Sequence, residues 1–112
     1  MGYDYLHLTS GGNVARADIP GAEPGYQVPF AEAMKAAAPQ AKVMAVGMIF
    51  DPQQAEDIVA SGQADLVAIA RAALDDPQWP HHAAVTLGRG EGLPPQYERA
   101  GKAFWPGYGR AR

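Results

Sequence analysis

The residues of this sequence best suited to hold a ligand are glycines and an arginine that follow apolar segments. Ser10 and Gly11 follow the first such segment, Gly47 ends the second, and Ala70 and Arg71 end the third. A glycine at a strand end lets a ligand approach the backbone closely. An arginine guanidinium offers a rigid fork of donors that matches the oxygens of a phosphate. With the N–H groups that open the following helices, these residue types predict a phosphate-binding site.

Other groupings of reactive side chains are weak. His81 and His82 are adjacent, so on a helix they diverge and cannot hold one metal ion from one face. We therefore expect no metal site. The acidic pair Asp75-Asp76 is better suited to cap a helix or meet solvent than to catalyse. The spacings of glycine-rich phosphate loops, GxGxxG and GKS/GKT, do not occur, and no serine, histidine and aspartate triad can be placed.

Six elements must position these residues, and strands and helices alternate among them. Short apolar or aromatic runs predict the strands, and apolar residues at helical spacing predict the helices. Asp51-Pro52 is a favourable helix start, and Gly62 is a fitting stop. The predicted strands cover residues 3–8, 42–47 and 65–70, and the predicted helices cover residues 29–38, 53–61 and 79–87.

This alternation predicts an α/β fold with parallel strands and right-handed crossovers. Parallel strands bring their carboxyl ends to one edge, where ligands gather, and a phosphate site built by two successive βα loops is typical of TIM barrels. A parallel sheet is covered on both faces, which three βα units cannot achieve alone. The pattern thus indicates a consecutive slice of a larger architecture.

The composition excludes several classes of protein. The 112 residues include 13 glycines, 10 prolines and no cysteine, so the chain has no disulfide framework, thiol nucleophile or cysteine-based zinc site. With 9 basic and 12 acidic residues and no basic block, nucleic-acid binding is not expected. No apolar run of about 20 residues predicts a membrane span, and we expect a cytoplasmic protein that binds neither nucleic acid nor membrane.

The last residues of the chain combine aromatic and basic side chains with little periodicity. Aromatic side chains are costly to leave exposed in a group, and aromatics with arginine are typical interface anchors. We therefore expect this tail to contact another subunit or chain. Its aromatic residues are Tyr97, Phe104, Trp105 and Tyr108, and its basic residues are Arg99, Lys102, Arg110 and Arg112.

Several ordered motifs resemble the C-terminal third of Old Yellow Enzyme flavoproteins, most closely the bacterial thermophilic-like branch of ene-reductases. The resemblance extends to about Arg99. The motifs are PGYQVPF at 24–30, AVGMI at 45–49, GQADLV at 62–67 with Arg71, DPQWP at 76–80 and PQYER at 95–99.

The resemblance implies that residues 1–88 are the last three βα units of a TIM barrel and that residues 89–112 are an irregular tail contacting a neighbouring subunit or chain. It implies FMN as cofactor, NADPH or NADH as reductant and activated alkenes as substrates. Gly47, Ala70 and Arg71 correspond to FMN-phosphate positions, with Ser10 and Gly11 as further candidates. The family usually has glycine where Ala70 stands, but an alanine keeps the N–H. Arg99 resembles an arginine that reaches the flavin or substrate region of a neighbouring subunit.

The same resemblance implies that this chain lacks the family's flavin-ring contacts, substrate-anchoring pair and proton-donating tyrosine, which lie upstream. The segment would be active only with the N-terminal portion of the enzyme, as a separate chain or domain, in an assembly that is itself expected to be a homo-oligomer. Two alternatives remain: a non-catalytic, self-associating phosphate-binding module, and a slice of a different flavin-dependent TIM-barrel oxidoreductase.

Overall fold

The computed structural model describes residues 2–10, 23–89 and 93–108. Strands and helices alternate through the first six elements, as the sequence predicts, and two further helices follow. In chain order the elements are β1 (Tyr5–His7), α1 (Val28–Ala37), β2 (Lys42–Ala45), α2 (Pro52–Ala60), β3 (Leu66–Val67), α3 (Arg71–Asp75), α4 (Trp79–Thr86) and a 3-10 helix (Pro95–Ala100).

The strands form one parallel sheet in the order β1-β2-β3. Leu6 pairs with Val43, and Met44 pairs with Leu66. The predicted α/β class and parallel pairing are therefore confirmed. The prediction of a strand over residues 65–70 was too long, because β3 contains two residues and the chain turns at Ala70 into the short helix α3. Arg71 consequently opens a helix rather than ending a strand.

The ends of α2 follow from its local sequence. The Asp51 carboxylate accepts a hydrogen bond from the Gln54 N–H at 2.9 Å, and Pro52 occupies the first turn, where its missing N–H costs nothing. At the other end Gly62 has a φ of 81°, which a residue with a side chain adopts only with strain. The Gly62 and Gln63 N–H groups bond back to the carbonyls of Val59 and Ile58, closing the helix with a Schellman motif.

The core lies between one face of the sheet and helices α1 and α2. Val43 and Ala45 of β2 are fully buried on this face, against Ala31 of α1 and Ile58 of α2. Side chains alternate along a strand, so Met44 lies on the opposite face, within 3.5 Å of the Tyr5 hydroxyl.

The opposite face of the sheet has little cover from the described parts of the chain. Tyr5 is 48% exposed, and Leu66, which pairs with Met44, is 46% exposed. We call Tyr5, Met44 and Leu66 the open sheet face. Because parallel sheets are normally covered on both faces, this face has the character of an interior surface.

Asp65 joins the sheet to α1 at the amino end of β3. Its carboxylate accepts the Val43 N–H at 3.0 Å and lies 3.0 Å from the Lys35 ammonium and 3.5 Å from the Lys42 ammonium. The Val43 hydrogen bond, followed by that of Lys35, lowers the pKa of Asp65 from 3.8 to about 2. The ionised carboxylate therefore stabilises the contact between β2, β3 and α1.

Helix α4 is fixed to the rest of the fold by Trp79, whose indole N–H donates to the Phe50 carbonyl at 2.7 Å. Beyond α4, the described part of the tail forms the 3-10 helix and exposes Tyr97 and Phe104. None of the helices within residues 2–10, 23–89 and 93–108 has the length and apolar content needed to span a bilayer.

Candidate phosphate-binding site

A cleft of about 200 Å³ lies at the carboxyl ends of β2 and β3. Gly47, Ala70 and Arg71, which the sequence predicts to share a site, all line it. The parallel sheet brings them together because the loops that follow neighbouring parallel strands emerge at the same edge. Drug-sized ligands occupy pockets of about 300–1,000 Å³, so the cleft suits a phosphate group rather than a whole flavin.

The turn after β2 has an unusual backbone. Gly47 has a φ of 113° and Met48 a φ of 51°. The Gly25 N–H donates to both of their carbonyls, at 3.1 and 3.2 Å, and the Gln54 side-chain amide also donates to the Met48 carbonyl. In a trans peptide the N–H points opposite to the carbonyl. The N–H groups that share a peptide plane with these two carbonyls therefore point away from Gly25. Gly25 does not line the cleft.

Backbone donors remain available at this cleft. Within residues 2–10, 23–89 and 93–108, no backbone carbonyl accepts a hydrogen bond from the N–H of Gly47, Met48 or Arg71. A backbone N–H without a protein acceptor is satisfied by water or by a ligand. Donors without acceptors, together with a cation, provide the chemistry that binds an anion.

Arg71 supplies that cation. Its side chain is exposed, and its guanidinium has a long contact of 3.9 Å with the Met48 sulfur. None of the ion pairs found in the described ranges includes Arg71. As far as the described residues show, the guanidinium has no ionic partner, and its fork can form a bidentate pair with phosphate oxygens.

Ser10 does not itself line the cleft, but it contacts a cleft residue, Gln27, whose role the sequence did not predict. The Ser10 backbone N–H donates to the Oε1 atom of Gln27, and Gln27 lines the cleft beside Gly47. Gln27 lies within the PGYQVPF motif, but its residue type alone does not indicate its role, which its burial in the structure marks. Gly11 lies outside the described residues, and its predicted role stays a prediction.

Arg99 is not part of the cleft. It lies exposed in the 3-10 helix of the tail, and no ion pair of the described ranges includes it. Its predicted contact with a neighbouring subunit stays a prediction, as does the domain boundary at residues 88 and 89.

A larger hollow of about 520 Å³ lies between α3 and α4 and is lined by Arg71, Trp79 and His82, among others. Here the His82 Nδ1 atom lies 2.6 Å from the Asp76 carboxylate. Asp76 also accepts the Gln78 N–H at 3.1 Å. These contacts fix the turn between α3 and α4, and thereby the helix that carries Arg71.

In the ranges that the structure describes, no group of three or more acidic or histidine side chains is arranged to hold a metal ion.

The family model described as NADH:flavin oxidoreductase / NADH oxidase matches residues 8–89. The chain belongs to this family. The resemblance to Old Yellow Enzyme proteins that the motifs predict is thereby confirmed. The matched residues include the whole cleft, so the flavin oxidoreductase assignment and the anion-binding geometry concern the same part of the molecule.

Individual relatives agree with the flavin oxidoreductase family. The chain is 46% identical over 100 residues to an NADPH dehydrogenase of Halalkalibacterium halodurans, covering 89% of this chain and 29% of the relative. It is 45% identical over 99 residues to one of Bacillus subtilis, covering 88% and 28%. It is 40% identical over 101 residues to one of Listeria innocua, covering 90% and 29%. The chain therefore spans less than a third of the length of these relatives.

The cleft fits the terminal phosphate of a flavin mononucleotide. A Cβ atom on residue 47 would lie 2.7 Å from the Gln27 Nε2 atom, so the absence of a side chain at Gly47 lets Gln27 pack closely against the turn that lines the cleft. Ala70 and Arg71 also line the cleft. Residues outside this cleft would have to hold the flavin ring.

Proposed function

We propose that this chain is the C-terminal segment of an FMN-dependent NAD(P)H oxidoreductase and that it binds the cofactor's phosphate. The observation that carries the proposal is the cleft that the Gly47 turn and Arg71 line at the carboxyl edge of the sheet. The family membership and the NADPH dehydrogenase relatives support the same activity.

Each residue of the cleft has a distinct proposed role. Gly47 gives the turn its left-handed backbone, and the N–H groups of the turn donate to the oxygens of the phosphate. Ala70 contributes its backbone N–H, and its methyl group narrows the approach slightly. Arg71 neutralises the phosphate charge through two parallel hydrogen bonds. When FMN is bound, it would supply hydride transfer from the nicotinamide to the substrate.

The proposal requires the rest of a barrel. A TIM barrel contains about 250 residues, and the chain spans 29% of its relative from Halalkalibacterium halodurans. The open sheet face supports an interior position for the sheet, because Tyr5 and Leu66 would be covered by side chains of further strands. The N-terminal portion of the enzyme, as a separate chain or domain, is the proposed partner.

The finer proposal is an ene-reductase that reduces the C=C bond of activated alkenes. It rests on the sequence motifs quoted above, and on Arg99 as a residue that enters the flavin or substrate region of a neighbouring subunit in a homo-oligomer. The exposure of Arg99 and of the neighbouring Tyr97 supports an intersubunit role for the tail.

A graft tests the proposed function. The Bacillus subtilis NADPH dehydrogenase would be produced with its matching segment replaced by this chain, beside the intact relative and a version lacking the segment. We expect the graft to retain FMN, seen as flavin absorbance after gel filtration, and to oxidise NADPH in the presence of cyclohexenone. A folded graft that releases FMN as readily as the truncated control would contradict the proposal.

The open sheet face favours a second candidate, a self-associating phosphate-binding module. In that case the chain alone would form a stable homo-oligomer that binds phosphate, and the N-terminal portion of a relative would not displace the copies from one another. Sedimentation of the chain with and without that portion distinguishes the two functions.

A further inference from the structure

Gln27 is buried to an extent unusual for its polarity. It is 5% exposed, and no other polar or charged residue of the described ranges is equally buried. Removing an amide side chain from water is unfavourable unless its hydrogen bonds are replaced. A methionine or leucine would fill the same space without this cost, so the amide group itself requires an explanation.

The contacts of Gln27 orient its amide. The Ser10 N–H is a donor, so the atom that faces it must be the Oε1 acceptor. The Nε2 atom then lies on the Gly47 side, 2.7 Å from the position that a Cβ on residue 47 would take. One side chain therefore contacts the loop after β1 and the turn after β2 at the same time.

We infer that Gln27 is a positioning residue for the phosphate cleft: it fixes the β1 loop at Ser10 against the Gly47 turn. This inference rests on the proposed function, since it concerns the site that would hold the cofactor's phosphate. Gln27 acts from the start of α1, so α1 joins the loops after β1 and β2 to one another. The cleft residues thereby keep their spacing when no ligand holds them.

Two variants separate the hydrogen bond from simple packing. Gln27→Met keeps the length of the side chain but removes the acceptor. Gln27→Glu keeps the acceptor oxygen but adds a negative charge beside the cleft. Gln40, which is exposed and precedes β2 at the opposite edge of the sheet, provides the matched controls Gln40→Met and Gln40→Glu.

The first measurement is hydrogen exchange of the Ser10 amide in the ¹⁵N-labelled 112-residue chain, which needs no flavin. We expect Gln27→Met to accelerate exchange at Ser10 by about tenfold or more, because the amide loses its acceptor. Gln27→Glu should leave Ser10 protected, since the carboxylate oxygen takes the same hydrogen bond. The Gln40 variants should exchange like the wild type.

The second measurement is the dissociation constant for FMN in the Bacillus subtilis graft described above, with inorganic phosphate as a second probe. We expect Gln27→Met to weaken binding by about tenfold at every salt concentration. Gln27→Glu should weaken it at low salt through repulsion. About 1 M salt should restore little of this loss, because salt screens a charge on so buried a side chain much less than an exposed one.

The two measurements distinguish a failure of the proposed function from a failure of the positioning role of Gln27. If the wild-type graft binds neither FMN nor phosphate, the proposed function fails, and Ser10 exchange still reports whether the Gln27 link exists. If the wild type binds FMN and Gln27→Met binds it equally well, the positioning role is wrong. Unchanged Ser10 exchange in a folded Gln27→Met chain would also overturn it.

Discussion

At the scale of single residues, the site depends on the absence of a side chain at Gly47 and on the charge of Arg71. Gly47 provides a left-handed backbone and close packing with Gln27, whereas Arg71 provides charge. The two contributions are separable, because the first affects folding of the β2 turn and the second affects only the bound anion. Substitutions at the two positions should therefore give different signatures.

Gly47→Ala should destabilise the fold by about 2 kcal/mol or more, because an alanine is strained at this φ and its Cβ would meet Gln27 at 2.7 Å. Gly62→Ala is the matched control: its φ is also left-handed, but a Cβ there meets nothing within 4 Å. This substitution should lower the stability of the fold by only about 1 kcal/mol, the cost of holding an alanine in a left-handed backbone. Urea denaturation gives both values, and equal losses would show that the Gln27 contact adds nothing.

Arg71→Ala should weaken FMN binding by about 10- to 100-fold, the usual effect of losing hydrogen bonds to a charged group. Arg71→Lys should lose less, because it keeps the charge but not the planar fork. Quenching of flavin fluorescence in the graft measures the affinity. Arg89→Ala, which removes an exposed arginine 3.4 Å from Glu56, is the control. An affinity for FMN unchanged by Arg71→Ala would remove Arg71 from the site.

At the scale of elements, the position of β3 relative to β2 and α1 depends on a polar contact as well as on the buried face. Asp65 is the clearest case, because a single carboxylate contacts β2 through the Val43 N–H and α1 through Lys35. Such a contact depends on the charge of the carboxylate. It therefore links the packing of these elements to pH.

Because the pKa of Asp65 falls from 3.8 to about 2 on folding, its ionised form contributes stability above pH 3.8. That contribution should disappear as the pH drops through about 2. Asp65→Asn should therefore be less stable than the wild type at pH 5, and the difference should shrink as the pH is lowered. Urea denaturation between pH 5 and pH 2 measures this, with Lys35→Met expected to lose part of the same pH dependence. Parallel curves for wild type and Asp65→Asn would contradict the assignment.

The elements also show what the sequence could predict. Asp51-Pro52 and Gly62 predicted the ends of α2 correctly, since capping is local chemistry. The apolar run at 65–70 suggested a longer strand, because hydrophobicity alone does not reveal that the chain bends at Ala70 to start α3. The grouping of Gly47 with Arg71 followed from topology. The role of Gln27 did not, because its contacts join segments that only the folded chain brings together.

At the scale of the whole molecule, the uneven cover of the sheet is the dominant feature. Helices α1 and α2 bury one face completely at Val43 and Ala45, whereas the open sheet face leaves Leu66 about half exposed. Contiguous exposed apolar surface promotes association. The state of the chain in solution should therefore depend on what covers this face.

The isolated chain should self-associate through the open sheet face, and Leu66→Ser should reduce that association and also weaken assembly with the N-terminal portion of a relative. Leu74→Ser is the control, because Leu74 is 82% exposed but lies on α3, away from the sheet. Analytical ultracentrifugation measures both effects. Identical sedimentation of the Leu66 variant and the wild type would assign the association to another surface, with the aromatic tail as the next to test.

The register of the sheet has a consequence for the order in which the chain folds. Fewer residues separate Met44 from its partner Leu66 than separate Tyr5 from its partner Lys42. Closing a shorter loop costs less entropy, so the β2-α2-β3 unit should form before β1 joins it. Pulse-labelling hydrogen exchange should then find the Asp65 amide protected earlier than that of Leu6. The Gly47 and Arg71 walls of the cleft would thus exist before Ser10 reaches Gln27, which makes that contact a late step that completes the site.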